Sequence, residues 1–367
     1  MKTINDAFPS LALRGLNALG AALLFAGGAL SGNSALAQEN SLLAAITHTT
    51  TLPGSGHSWG FAAQDPTRPY LFIARRENGL TVFDVEKQRV VRSLDNSAGA
   101  NAVVFVPSVD RAYITNMDGS LTIVRLSDLM TLKRIPVADA NLNSAVYEPV
   151  TGWVIIASGR RADKSTLFVL DPKEDRIVAQ QDVDVKKIDP LVAVGDGTIL
   201  LPMRDEGKVM RIAAASLKTS AIWRFDGCTQ PSALALDPQN RRLFVACRGN
   251  SPILVVADLD SGALKASLPI THAVNAVAYD AKRRRLLVAS GVDANLTVIA
   301  QSGPNDYRTL GFVGTRPWAH NMAYDPQRGQ AYLFTMDFTQ PAPGPDLKKQ
   351  DPQFHADSFS VLTMQLR

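Results

Sequence analysis

The side chains able to do chemistry in this sequence are few, and their spacing is informative. Five histidines, His48, His57, His272, His320 and His355, are scattered along the chain. None forms the H-x-x-x-H pair that sets two imidazoles on one helix face, so a metal site would have to be assembled from distant segments. Cys228 and Cys247 are the two cysteines, 19 residues apart, too few for a disulfide-dense scaffold or a cysteine-rich zinc protein. Gly56-His57-Ser58-Trp59-Gly60 matches the G-x-S-x-G elbow of serine hydrolases. That elbow requires a strand before the serine and a helix after it. Here a short FAAQDP segment ending at Pro66 follows instead. There is no haem-attachment motif, P-loop, EF-hand or dinucleotide fingerprint.

Composition narrows the setting. The 367 residues are 46% hydrophobic and 20% charged, which suits a large folded core and excludes a disordered, collagen-like or coiled-coil chain. The formal charge of +4 is small for this length and does not announce a nucleic-acid binder. Residues 1–37 read as a secretory signal: Lys2 and Arg14, an apolar stretch from Leu16 to Leu30, then Ala35-Leu36-Ala37 as a small-x-small cleavage site. An uncleaved anchor is the alternative, although the apolar stretch is shorter than the roughly 20 residues that span a bilayer. The expected compartment is an oxidising bacterial periplasm, with no membrane span after cleavage.

The elements that must position these residues come from a repeat. A short apolar segment followed by a turn rich in Asp, Pro and basic residues occurs seven times. Its copies are 61–74, 103–115, 145–158, 191–203, 234–247, 277–290 and 322–336. The period is about 43 residues, in the range of a propeller blade. A third apolar segment follows in each unit, as in LTVFDV (80–85) and ILVVAD (253–258), and a fourth in six of them. The segments are rich in Val, Ile, Leu and Phe and bounded by Gly, Pro, Asp and Asn, which is strand and turn chemistry. No sustained 3.6-residue period supports a long helix. The seventh unit lacks a fourth strand, and LLAAITHTTTLPGSGHSWGFAAQDP (42–66) matches the strand-four-to-strand-one stretch of another unit. The expectation is an all-β, seven-bladed β-propeller over 38–367 with four-stranded blades. The blades span about 58–94, 101–137, 143–183, 190–225, 231–270, 274–313 and 319–366, the last closed by residues 42–52 from the N-terminal side.

The units resemble YVTN-type repeats, and the chain beyond the signal is similar to YncE-like seven-bladed propellers. The carrying residues are the Asp-Pro turns (Asp65-Pro66, Asp237-Pro238, Asp325-Pro326), the L-x-V-x-D third strand from Leu80 to Asp84, and the closing RPWAHNMAYDP unit. Blade four matches least well, with a shortened Gly195-Asp196-Gly197 turn. The resemblance implies architecture more than function.

In a propeller, the start of each inner strand and the loops between second and third strands open on one face. Five residues before each turn stand Gly60, Asn101, Asn143, Asp189, Ser232, Asn275 and His320. Such polar groups at one height could hold a ligand or an ion, or could cap the inner strands. The same face receives Arg75, Arg76, Arg160, Arg161, Lys164, Arg204 and Arg248, which suit an anion, but seven acidic residues share those loops. His57 and His272 occupy equivalent positions near this rim. An insertion at 337–357 with four prolines should stand over it. Cys228 and Cys247 approach one end of blade five, where the oxidising compartment makes a disulfide the expectation, with two free thiols or a copper-binding pair as the alternatives.

The functional expectation is an exported, monomeric binding or scaffold protein whose channel face takes a small anionic ligand or a protein partner. The rim candidates are Asn101, Asn143, Asp189, Asn275, His320, His57, Arg75, Arg160, Arg204 and Arg248. The alternative is a propeller enzyme of lactonase or lyase type with a divalent metal at the channel mouth. DNA binding suits a pI near 9.0 but not an export signal.

Overall fold

The computed structural model describes residues 43–344 and 350–367. The expected signal at 1–37 lies outside the described residues. The rest forms seven four-stranded antiparallel sheets and a two-stranded one, Phe338–Thr339 with Gln353–Phe354, with no α-helix among the described residues and two short 3-10 turns. Among these residues no helix is long and apolar enough to cross a membrane.

Strand order within six of the seven sheets follows chain order, as in Ala100–Val106, Arg111–Asn116, Ser120–Arg125 and Met130–Pro136. First strands touch first strands of adjacent sheets, so they ring a common axis. Middle strands are buried on both sides: all five residues of Leu80–Asp84 are inaccessible. Outer strands such as Arg89–Leu94 are exposed along most of their length. The apolar core lies in the seven seams between adjacent blades. Phe72 and Leu80 of blade one pack with Val103 and Ile114 of blade two, and the pattern repeats around the ring. Blade four is the thinnest, its inner strand reduced to Val192–Ala193.

The recurring aspartate has a clear physical task. Asp65 Oδ1 accepts the backbone N–H groups of Thr67 (2.9 Å) and Arg68 (3.2 Å), closing the turn that follows the inner strand. Asp325 does the same for Gln327 and Arg328, and Asp280 for Arg283. In these three units an arginine three residues on neutralises the buried carboxylate. The turn signature is therefore a self-contained cap for an otherwise orphaned set of N–H donors.

Two covalent or topological closures complete the fold. Cys228 and Cys247 form a disulfide with Cα atoms 5.2 Å apart, tying the entry of blade five to the end of its second strand. A loop of this size stabilises by about 3 kcal/mol. The last blade is sealed by Ala44–Leu52, which pairs antiparallel with Phe359–Leu366 from Leu52↔Phe359 to Ala44↔Leu366. The inner part of that blade is Met322–Asp325 and Gln330–Thr335, so both ends of the folded region share one sheet. Removing residues 43–52 should bare the edge of Phe359–Leu366 and open the ring. The expected outcome is a large drop in melting temperature, or aggregation, measured by circular dichroism against the protein beginning at Gln38; unchanged melting would contradict this closure.

Candidate functional site

The residues at the start of the inner strands are mostly occupied with holding blades together. Asn101 Nδ2 donates to the carbonyls of Leu142 (2.9 Å) and Asn143 (3.0 Å) in the next blade. Asn143 Nδ2 donates to Ile188 O at 2.8 Å. Ser232 Oγ donates to Val274 O, and Asn275 Nδ2 to Asn321 Oδ1. Asn321 Nδ2 reaches Gly60 O, and Phe61 N donates to Asn101 O. Asn101, Asn143, Ser232 and Asn275 each sit at a register shift, where the bulged residue turns its side chain toward the neighbouring blade. In blade seven Met322–Asp325 has no such shift, and the linking carboxamide is Asn321, one position after His320. A buried carboxamide that serves two blades is spent as a ligand group, although Asn101 Oδ1 remains without a partner among the described residues.

The charged residues behave differently. Asp189 is buried, and Arg204 Nε donates to it, while Lys187 Nζ lies 3.8 Å from its other oxygen. Arg204 also reaches across the axis toward Asn275 Oδ1 at 3.5 Å. Burial raises the Asp189 pKa, opposed by Arg204, Lys187 and Arg248. Burial lowers Lys187, with Arg204, Arg160 and Arg76 adding to the effect. Arg248 is lowered by burial and by Arg204. These mutual effects mean that Arg76, Lys187, Arg204 and Arg248 share one electrostatic neighbourhood at the channel mouth. Three carboxylates act on those four cations: Asp189 within the cluster, Glu77 beside Arg76, and Asp205, which is paired with Arg160 and also acts on Lys187 and Arg204. No side-chain hydrogen bond or ion pair occupies the Arg76 or Arg248 guanidinium among the described residues. Arg76 is mounted rigidly: its backbone, at φ 41°, donates to Ala100 O and accepts from Gly79 N and Gly99 N.

Other sequence candidates are engaged elsewhere. Arg75 is buried at the blade seven seam, donating to Pro53 O at 2.7 Å, its guanidinium carbon 4.8 Å from the centre of the Phe359 ring. Arg160 forms a two-pronged pair with Asp205 at 2.6 and 3.0 Å on the surface. His272 bonds Asp293. Ser58 donates to Glu77, and the backbone around it is irregular, with no helix following, so the G-x-S-x-G segment is an inter-blade connection. Among the described residues no group of three or more His, Cys, Asp or Glu converges as a metal cage.

Beside the cationic mouth, walled on one side by residues 351–354, lies a cavity of about 630 Å³. His57, Trp59, Arg76, Trp318, His320 and Phe354 contribute to its wall. His57 Nδ1 faces Phe354 O at 3.2 Å. His320 stacks on Trp59 with ring centres 6.1 Å apart.

No family model and no curated protein matches the sequence. Solved structures do match the fold. The chain is similar to the hydrazine synthase of Kuenenia stuttgartiensis over 77% of its own length and 94% of that chain, at 15% identity and TM-score 0.66. It is similar to the WD40 repeats of RRP9 over 88% of its length and 99% of theirs, at 9% identity and TM-score 0.68. A chain of the mitotic checkpoint complex aligns over 97% and 99%, at 10% identity and TM-score 0.70. At such identities the likeness is one of fold alone.

Sequence reasoning placed Arg204, Arg248, His57 and His320 on this face, and the structure puts the first two at the mouth and the histidines in the cavity wall. It passed over Lys187, Trp59, Trp318 and Phe354. The available signal was the pair of segments HSWGF and PWAHN, in which tryptophan and histidine precede the inner strands of adjacent blades one and seven.

His320 titrates in an informative direction. Burial, then Arg248, Arg76 and Arg204, lower its pKa from 6.5 to about 4. Above pH 6.5 it is neutral in both folded and unfolded protein. As pH falls toward 4 the unfolded chain takes up a proton that the folded site resists, so folding loses up to about 3 kcal/mol. The raised pKa of Asp189 works in the opposite sense and is common to both proteins in the comparison. Denaturation of wild type and His320→Gln from pH 7 to 4.5 should show the wild type losing stability relative to the variant. A difference independent of pH would refute the assignment.

Proposed function

We propose that this chain is an exported, YncE-like propeller of the YVTN-repeat kind, and that it works as a periplasmic binding protein whose channel mouth takes a small anion. The supporting observation is the convergence of Arg76, Lys187, Arg204 and Arg248 on a region whose carboxylates are Asp189, Glu77 and Asp205, the last already paired with Arg160, with the Arg76 and Arg248 guanidinium groups unpartnered among the described residues. Guanidinium groups held partly out of water bind carboxylate or phosphate oxygens through paired, charge-assisted hydrogen bonds. Forming such bonds would offset the desolvation of the Arg76 and Arg248 guanidinium groups. Residues 350–357, which reach this cavity wall, give the same face an additional contact surface for a protein partner. A divalent metal at Asp189 and His320, the arrangement a lactonase- or lyase-type enzyme would need, is opposed by the guanidinium groups around both.

The export reading rests on the segment ending at Ala35-Leu36-Ala37, and the Cys228–Cys247 disulfide agrees with an oxidising compartment. Expressed in a bacterium with its full sequence, the protein should appear in the periplasmic fraction with Gln38 as its first residue. Full-length protein confined to the membrane or cytoplasm would count against export.

Titration calorimetry with inorganic phosphate, sulfate and succinate at low salt tests the binding reading. At least one anion should bind, and added NaCl should weaken it. Arg76→Gln and Arg248→Gln should each cost about 10- to 100-fold in affinity, the range of a charged hydrogen bond. No heat with any of the three, or affinity unchanged in the double variant, would refute it.

A further inference from the structure

The cavity beside the mouth is built unlike the rest of the channel face. Three aromatic walls come from three separate segments: Trp59 before blade one, Trp318 before blade seven, and Phe354 in the insertion. Phe354 meets Trp59 edge-on at 5.5 Å and Trp318 edge-on at 5.6 Å. His320 stacks on Trp59 and completes the wall. Trp59 is buried, yet its indole Nε1 has no acceptor among the described residues. A buried N–H donor without a partner is rare.

Trp318 is held at a cost. Its φ is +67°, in the left-handed region that bulky side chains avoid. The conformation is fixed by hydrogen bonds from Trp318 N to Gly291 O and from His320 N to Trp318 O, both 2.8 Å. Gly291 permits the approach: a Cβ there would lie 2.9 Å from His320 Cβ and 3.2 Å from Trp318 Cα. Backbone strain over-determined in this way marks positions where side-chain placement matters more than local stability.

The cavity is also charged on one side. Arg76 lines it, opposed by Asp351 at the outer wall. The Arg76 guanidinium has no hydrogen-bond or ion-pair partner among the described residues, its Nε included, so it is the group in this wall that a ligand carboxylate would meet. About 630 Å³ is within the range of small-molecule pockets and exceeds what a single ring fills.

We propose that this cavity binds the ring system of a planar aromatic carboxylate, its rings against Trp59, Trp318 and Phe354 and its carboxylate on Arg76. Aromatic walls favour a planar π-system over an aliphatic body of equal area through edge-to-face and stacked contacts. This proposal rests on the anion-binding reading for its charge preference and adds the ligand class.

The test uses the mature protein and four probes, followed by tryptophan fluorescence and calorimetry: 2-naphthoate, cyclohexanecarboxylate, 2-naphthylmethylammonium and inorganic phosphate. We expect 2-naphthoate to bind at least tenfold more tightly than cyclohexanecarboxylate or the ammonium probe, and to quench tryptophan emission. Trp318→Ala and Phe354→Leu should each weaken 2-naphthoate at least fivefold while leaving phosphate affinity unchanged. Phe354→Leu guards against misfolding, since Phe354 stands in the insertion outside the blades, and melting temperatures certify both variants. Equal binding of the aliphatic carboxylate or of the aromatic cation, or 2-naphthoate affinity untouched in a folded Phe354→Leu, overturns the proposal. If phosphate binds but 2-naphthoate does not, the cavity assignment fails and the cationic mouth stands. If 2-naphthoate binds with these variant effects and phosphate does not, the cavity assignment stands and the mouth as a general anion site fails.

Discussion

The whole molecule depends on ring closure. Each apolar seam lies between two blades, so a sheet with a neighbour on one side only would leave an uncovered hydrophobic face. Closure requires the last sheet to be complete, and its fourth strand is Ala44–Leu52. That strand buries Ala44 and Leu52 at its ends while its middle residues face water, so its contribution is mainly to satisfy the backbone of Phe359–Leu366. The two ends of the folded chain are thereby held in one sheet by eight matched residue pairs.

Closure also decides what happens at the axis. Seven inner strands brought together would leave polar backbone groups facing one another across narrow gaps. Asn101, Asn143, Ser232, Asn275 and Asn321 answer this by donating across the seams. Around blade four the pattern changes. Its inner strand is only two residues long, and the loop before it supplies Lys187 and Asp189 in place of a carboxamide. Arg204 from the same blade spans to Asn275 in blade six. The cationic mouth thus arises where the regular cross-linking is interrupted, and ordinary repeats around it supply Arg76 and Arg248.

The strained backbones at Arg76 and Trp318 belong to the same region of the channel face. Each is pinned by main-chain hydrogen bonds, Arg76 to Ala100 and Gly99 of the next blade and Trp318 to Gly291 of the preceding one, and each carries a side chain that lines the cavity. A loop free to relax would not hold either residue there. The rigidity of the wheel is what makes a pre-formed recess affordable beside a charged opening.

Much of this architecture was legible in the linear sequence because it is written in local chemistry. Strand segments repeat at a fixed period, and Asp65, Asp280 and Asp325 cap their own turns within three residues. The missing fourth strand of the last unit announced the role of residues 42–52, since a sheet edge must be filled by something of matching pattern. The pairing of Cys228 with Cys247 stayed open until the hairpin brought Cys247 opposite Pro231, beside the entry of the blade. Counting from the turns located Asn101 and Asn143 but not their task, because whether a carboxamide faces the channel or the next blade depends on a bulge, which no local pattern declares. In blade seven the count landed on His320 and not on the linking Asn321 for the same reason. The electrostatic character of the mouth was hidden by counting charges along loops, where acids and bases balance. In space Asp205 is paired with Arg160 while still acting on Lys187 and Arg204, and Arg248 shares their neighbourhood. Repeats, turns and the closing strand follow from contacts within a few dozen residues, and so the sequence alone determined them. The mouth and its aromatic recess join residues 59, 76, 204, 248, 318 and 354, and only the closed ring, by setting distances across its axis, decided that they meet.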